Sequence, residues 1–130
     1  MTIKNTILLL AGFLLISSSC TVDDAALKMQ EQQQLDVLYQ ALINIAGSVP
    51  CTNSQNWAFT AVGAKACGGP ISYLAYPLSI DTTSFLNKVA HFTAEQEKFN
   101  IKWQISSDCM ILQPPTGVEC VDNKPTFIYW

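Results

Sequence analysis

Residues 51–70 read CTNSQNWAFTAVGAKACGGP, and the reading of this stretch decides the fold class. Trp57, Phe59 and Ala61 alternate with Ala58, Thr60 and Val62, the period of a strand that carries its large residues on one face. Cys51 and Cys67 bracket the strand, and Gly68-Gly69-Pro70 breaks it. Lys65 is the sole charge, and neither histidine nor carboxylate is present. A strand stapled by cysteines and nearly free of charge reads as scaffold before it reads as a reaction site.

Downstream, Ile71 to Tyr76 (ISYLAY), closed by Pro77, has no decisive period; a short strand is favoured over a single helical turn after Pro70. Asp81 then offers a helix cap, and Phe85, Val89, Phe92 and Phe99 fall on one stripe of a helix running to about Phe99. Asn87, His91, Ala94 and Lys98 lie on the opposite face, so His91 belongs to a solvated stripe. Ile101, Trp103 and Ile105 alternate with Lys102, Gln104 and Ser106 and predict a half-buried strand. Asp122-Asn123 separates two further strand-like runs, the signature of a hairpin with a primed turn. That register sets Cys120 opposite Pro125 and Val118 opposite Phe127, with Pro125 at an edge because it has no N–H to donate.

Upstream, Leu35, Leu38, Tyr39, Leu42, Ile45 and Ala46 recur at three- and four-residue steps, an amphipathic helix that Gly47 and Pro50 terminate. The segment before it, Thr21 to Gln34, is polar and glutamine-rich without apolar periodicity and reads as a tether that turns helical near its end. The expected architecture is α+β. One N-terminal helix and one central helix pack on a small, mostly antiparallel sheet of three to five strands within a single domain at 35–130.

The extreme N-terminus is an address label. Lys4 precedes an apolar run from Ile7 to Ile16, too short for a bilayer span of about 20 residues, and Ser17-Ser18-Ser19 leads to Cys20. This order resembles a bacterial lipoprotein signal, with residues 1–19 removed and Cys20 lipidated as the mature N-terminus ahead of a tether over 20–34. It departs from the usual pattern in carrying Ser17 where a leucine commonly stands three positions before the cysteine. Ordinary cleavage at the small residues Ser17 and Ser19, giving a secreted protein, is the alternative. With Thr21 rather than aspartate after Cys20, the resemblance implies sorting to the outer membrane of a two-membrane cell, on either its periplasmic or its surface face. The strings KACGGP, IDTTSF and SDC are also similar to the body of small exported lipoproteins, a resemblance that covers Cys51 to Tyr129 and implies no activity.

Removal of Cys20 leaves Cys51, Cys67, Cys109 and Cys120, an even set in an exported domain and hence two disulfides. Three pairings are possible. The sequential one, Cys51 with Cys67 and Cys109 with Cys120, closes two short, turn-rich loops and is the expectation. No two of these cysteines have the close spacing of a zinc site, so no metal or cofactor is expected.

A net charge of -3 with no arginine in the chain argues against nucleic-acid recognition, which leans on clustered basic side chains. Cysteine nucleophiles are spoken for by disulfides and lipid, and His91 has no acid nearby except Glu95, so no catalytic residue is assigned and the protein is expected not to be an enzyme. Aromatics are the better hint, since exposed Trp and Tyr anchor interfaces. Trp57 and Trp103 are expected in the core. Gly68, Gly69 and Pro70 with Tyr73, Tyr76 and Trp130 form the candidate binding surface for a protein partner. The functional expectation is a membrane-anchored, non-enzymatic interaction module of the cell envelope, with an inhibitor or immunity protein as one form of it and a structural or assembly lipoprotein as the alternative.

Overall fold

The computed structural model describes residues 23–130. Among these residues two α-helices and two antiparallel hairpins follow one another: α1 (Asp24–Ala46), β1 (Trp57–Val62), β2 (Ser72–Pro77), α2 (Thr82–Lys102), β3 (Gly117–Val121) and β4 (Lys124–Ile128). The class is α+β, but the four strands form two separate two-stranded sheets rather than one.

The β1–β2 hairpin is the middle layer, and its pleat explains why. Trp57 pairs with Pro77, Ala58 with Tyr76 and Phe59 with Ala75, so odd positions of β1 share a face with odd positions of β2. One face carries Ala58, Val62, Leu74 and Tyr76 into the larger core, against Leu35, Leu42, Phe85, Val89, Phe92 and Phe99 of the two helices. The other face carries Trp57 and Ala75 into a smaller core with Cys51, Val118, Cys120 and Phe127. Phe85, Leu42 and Val62 are essentially inaccessible, each burial stabilising by about 1.5–3 kcal/mol before entropy is counted. Tyr39 of α1 stacks at 5.3 Å on Phe92, and Tyr76 at 4.9 Å on Phe85.

The expected Asp81 cap is in place, its carboxylate accepting the Ser84 N–H at 2.9 Å, and α1 ends at Gly47 as expected, but with φ −90° rather than the left-handed conformation of a glycine C-cap. The β3–β4 turn is of the expected primed kind, with φ +50° at Asp122 and +61° at Asn123. Cys120 faces Pro125 and Val118 faces Phe127. Residues flanking a two-residue turn form a hydrogen-bonded pair and pairs alternate from there, so Pro125 occupies a non-bonded position where its missing N–H costs nothing.

Three expectations need correction. The segment read as a tether is helical from Asp24 onward, capped by the Asp23 side chain. Its Ala, Leu, Lys, Met, Gln and Glu residues are all good helix formers, and a polar contact replaces the missing apolar stripe: Glu31 accepts hydrogen bonds from Lys102 Nζ and, at 2.7 Å, from Trp103 Nε1. The strand expected at Ile101–Ile105 is instead the end of α2 and its cap. Phe99 and Trp103 stand one turn apart with ring centroids at 6.4 Å, the Trp103 N–H closes on Phe99 O, and Ile101 projects into solvent with 74% of its surface exposed.

The third correction is the disulfide pairing. Cys51 joins Cys120 and Cys67 joins Cys109, over separations of 69 and 42 residues. The sequential pairing fails because Cys51 and Cys67 sit beyond opposite ends of β1, a strand of 6 residues, about 20 Å long at 3.3 Å per residue. Disulfide Cα atoms lie only about 4.4–6.8 Å apart.

Candidate functional site

The loop from Gly63 to Ile71 joins β1 to β2 and would be expected to move freely. It is held instead by a row of polar side chains on α2. Thr93 Oγ1 accepts the Gly63 N–H at 3.0 Å, Gln96 Oε1 accepts the Ala64 N–H at 2.9 Å, and Asn100 Nδ2 donates to Ala64 O at 2.8 Å. These residues are three and four positions apart and so share one helix face. Gly63 has φ +74° and no room for a side chain, since a Cβ would overlap Ile71 Cγ1 and Gln96 Oε1.

The second clamp comes from the chain beyond α2. Cys67 is bonded to Cys109, and its N–H donates to Ser107 Oγ at 3.2 Å. Lys65 Nζ reaches Asp108 Oδ1 at 2.9 Å and Met110 O at 2.8 Å. The lysine, with the Met110 N–H, holds the Asp108 carboxyl below its ordinary range. Lys65, the one charge in the opening stretch of sequence, thus ties two loops together.

Between these loops lies a recess of about 470 Å³, walled by Gly68, Gly69 and Pro70 on one side and Met110, Ile111 and Leu112 on the other. Gly68 and Gly69 have φ +93° and +79°, a conformation open to glycine, and space around both is empty. Met110 is 69% exposed and Ile111 96%. The candidate residues Gly68, Gly69 and Pro70 therefore do line a surface feature. Its other wall escaped the sequence reading, although a run of Met, Ile and Leu between Cys109 and Pro114-Pro115, with no strand to pair it, was a usable signal.

The aromatic candidates scatter. Tyr76, expected at the surface, is buried against Phe85 because its position on β2 faces the helices. Tyr73, three residues earlier on the same strand, points to the other face and is half-buried edge-on to Phe59 at 6.3 Å. Phe59, Phe127 and Tyr129 continue this edge-to-face series. Trp130 is 84% exposed, and its carbonyl accepts from Gln113 Nε2 at 3.2 Å. Trp57 is buried and Trp103 half-buried. Cys20 lies outside the described residues.

A second recess separates the helices, floored by Leu35, Leu38 and Phe99 and rimmed by His91 and two ion pairs, Lys98 with Glu95 and Lys102 with Glu31. Each lysine lowers its partner's carboxyl pKa, and the Trp103 indole N–H adds to the effect at Glu31. Among the described residues no group of three His, Cys, Asp or Glu side chains is placed to hold a metal ion. No described helix is long and apolar enough to cross a membrane. No family model, curated protein or solved structure matches the chain.

Proposed function

We propose that the protein is an exported, lipid-anchored binding module of the cell envelope, attached through Cys20 to the outer membrane, and that it acts by non-enzymatic contact with a protein partner. The observation that carries this reading is the exposure of Met110 and Ile111, at 69% and 96%, on a backbone fixed by a disulfide. Large apolar side chains held rigidly in water are costly unless a partner covers them, and rigidity lowers the entropy lost on binding. Export is supported by the two disulfides, which persist in oxidising compartments. With the other four cysteines joined to one another, Cys20 is left as the odd one, free for lipid.

Two measurements test the reading. Labelled palmitate should enter the wild-type protein but not a Cys20→Ser variant, which should also leave the membrane fraction; unchanged membrane association in that variant would remove the anchor from the proposal. The Cys20→Ser protein, immobilised, should retain a partner that the same protein carrying Ile111→Asp does not. Equal retention by both would refute the assigned surface.

A further inference from the structure

We infer that the segment from Cys109 to Gln113 is a substrate-like ligand for an endopeptidase, presenting Ile111 to a specificity pocket that takes an aliphatic side chain, so that the protein occupies and blocks such an enzyme. The inference rests on the binding-module reading of the same surface and names the partner's chemistry.

An endopeptidase receives its substrate as a stretch of chain laid along a cleft, free of helix and turn, with one side chain entering a pocket. Residues 105–115 have no helix, turn, bend or strand pairing, and the one left-handed backbone among them, at Cys109 with φ +48°, stands at the disulfide ahead of the exposed residues. Within them Ile111 is the most exposed large hydrophobic residue of the described chain, at 96%. No charge occurs from Cys109 to Val118, and the carboxylate that directly precedes this run in sequence, Asp108, is paired with Lys65 at 2.9 Å. The complementary cleft is therefore uncharged and apolar.

What distinguishes a blocking ligand from a substrate is the fixing of both flanks. On the N-terminal side Cys109 is bonded to Cys67, and Met110 O accepts from Lys65 Nζ at 2.8 Å. On the C-terminal side Gln113 Nε2 donates to Trp130 O, Pro115 is buried, and Thr116 donates to Ile128 O through both its N–H and its hydroxyl, at 2.8 and 3.1 Å. A segment held in this way loses little freedom on entering a cleft. Hydrolysis of the Ile111–Leu112 bond would add one water and yield a carboxylate and an amine, but both new ends would stay anchored next to each other. Their high effective concentration favours resynthesis and hinders product release.

The test uses the non-lipidated Cys20→Ser protein against elastase and subtilisin, whose pockets accept aliphatic side chains, with trypsin as the basic-specific control. Slow-dissociating inhibition of elastase or subtilisin and none of trypsin is expected. Ile111→Lys should transfer inhibition to trypsin, and Ile111→Asp should weaken it at least about a hundredfold, as for a central interface residue. Both variants should unfold at the wild-type temperature, because the side chain contacts almost nothing. Three outcomes would overturn the inference: no inhibition of elastase or subtilisin, rapid cleavage at Ile111–Leu112 without inhibition, or inhibition that survives Ile111→Asp. Retention of a partner through Ile111 in the absence of any inhibition would leave the binding module standing and remove the peptidase.

Discussion

Gly63 combines a backbone at φ +74° with side chains of Ile71 and Gln96 packed where a Cβ would stand. Gly63→Ala should therefore lose the strain of a left-handed alanine plus a local displacement of the clamp, about 1–3 kcal/mol together, read as a lowered urea midpoint. Gly68 and Gly69 share the positive φ without the crowding, so alanine there should cost only the backbone share. Glu31 provides the second test at this scale. Its carboxyl pKa is lowered first by Lys102 and then by Trp103, so its folded value lies below its unfolded one. The stability it contributes is present above the ordinary carboxylate range and is lost as pH falls through the depressed folded value. Glu31→Gln should flatten the acid limb of the stability–pH curve, and an unaltered limb would show that the contact does not form in solution. Gly68 and Gly69 were visible as strand breakers in the sequence, whereas the demand for glycine at Gly63 was not, because Ile71 and Gln96 come from other parts of the chain. The contact of Glu31 was not, because it joins residues 71 apart in the chain.

Among the elements, those with purely local causes were legible: the amphipathic stripe and Asp81 cap of α2, the β1 alternation, and the Asp122-Asn123 hairpin down to its register. Where two local readings competed, tertiary contacts decided. Ile101, Trp103 and Ile105 fit a strand period, yet the Phe99–Trp103 spacing also fits a helix, and the indole bond to Glu31 favours the helix. Disulfide pairing depends on which loops meet in space and is not encoded in spacing. The two bridges should behave differently. By chain entropy each is worth about 4 kcal/mol at most, but Cys51 is buried while Cys67 and Cys109 are exposed. Replacing Cys67 and Cys109 together with alanine should leave a cooperative fold with faster amide exchange from Gly63 to Pro70. Replacing Cys51 and Cys120 should reduce stability further by opening the smaller core. Equal losses from the two double variants would count against the packing described.

At the scale of the whole molecule, a three-layer arrangement puts one hairpin between helices and a second hairpin, and each disulfide crosses layers or loops that the hydrogen bonds alone would leave loosely joined. The candidate surface was half legible here: the Gly-Gly-Pro corner announced itself, whereas its Met110–Leu112 wall comes from a segment remote in sequence. The bridges are also nested, since Cys67 and Cys109 both fall between Cys51 and Cys120. In a reduced chain Cys51 is nearer in sequence to Cys67, and Cys109 to Cys120, than either is to its native partner, and shorter loops close at lower entropic cost. Early oxidation thus favours the wrong couples, and the native set is reached by thiol–disulfide exchange. The protein's yield is accordingly tied to the isomerase capacity of the compartment in which it matures.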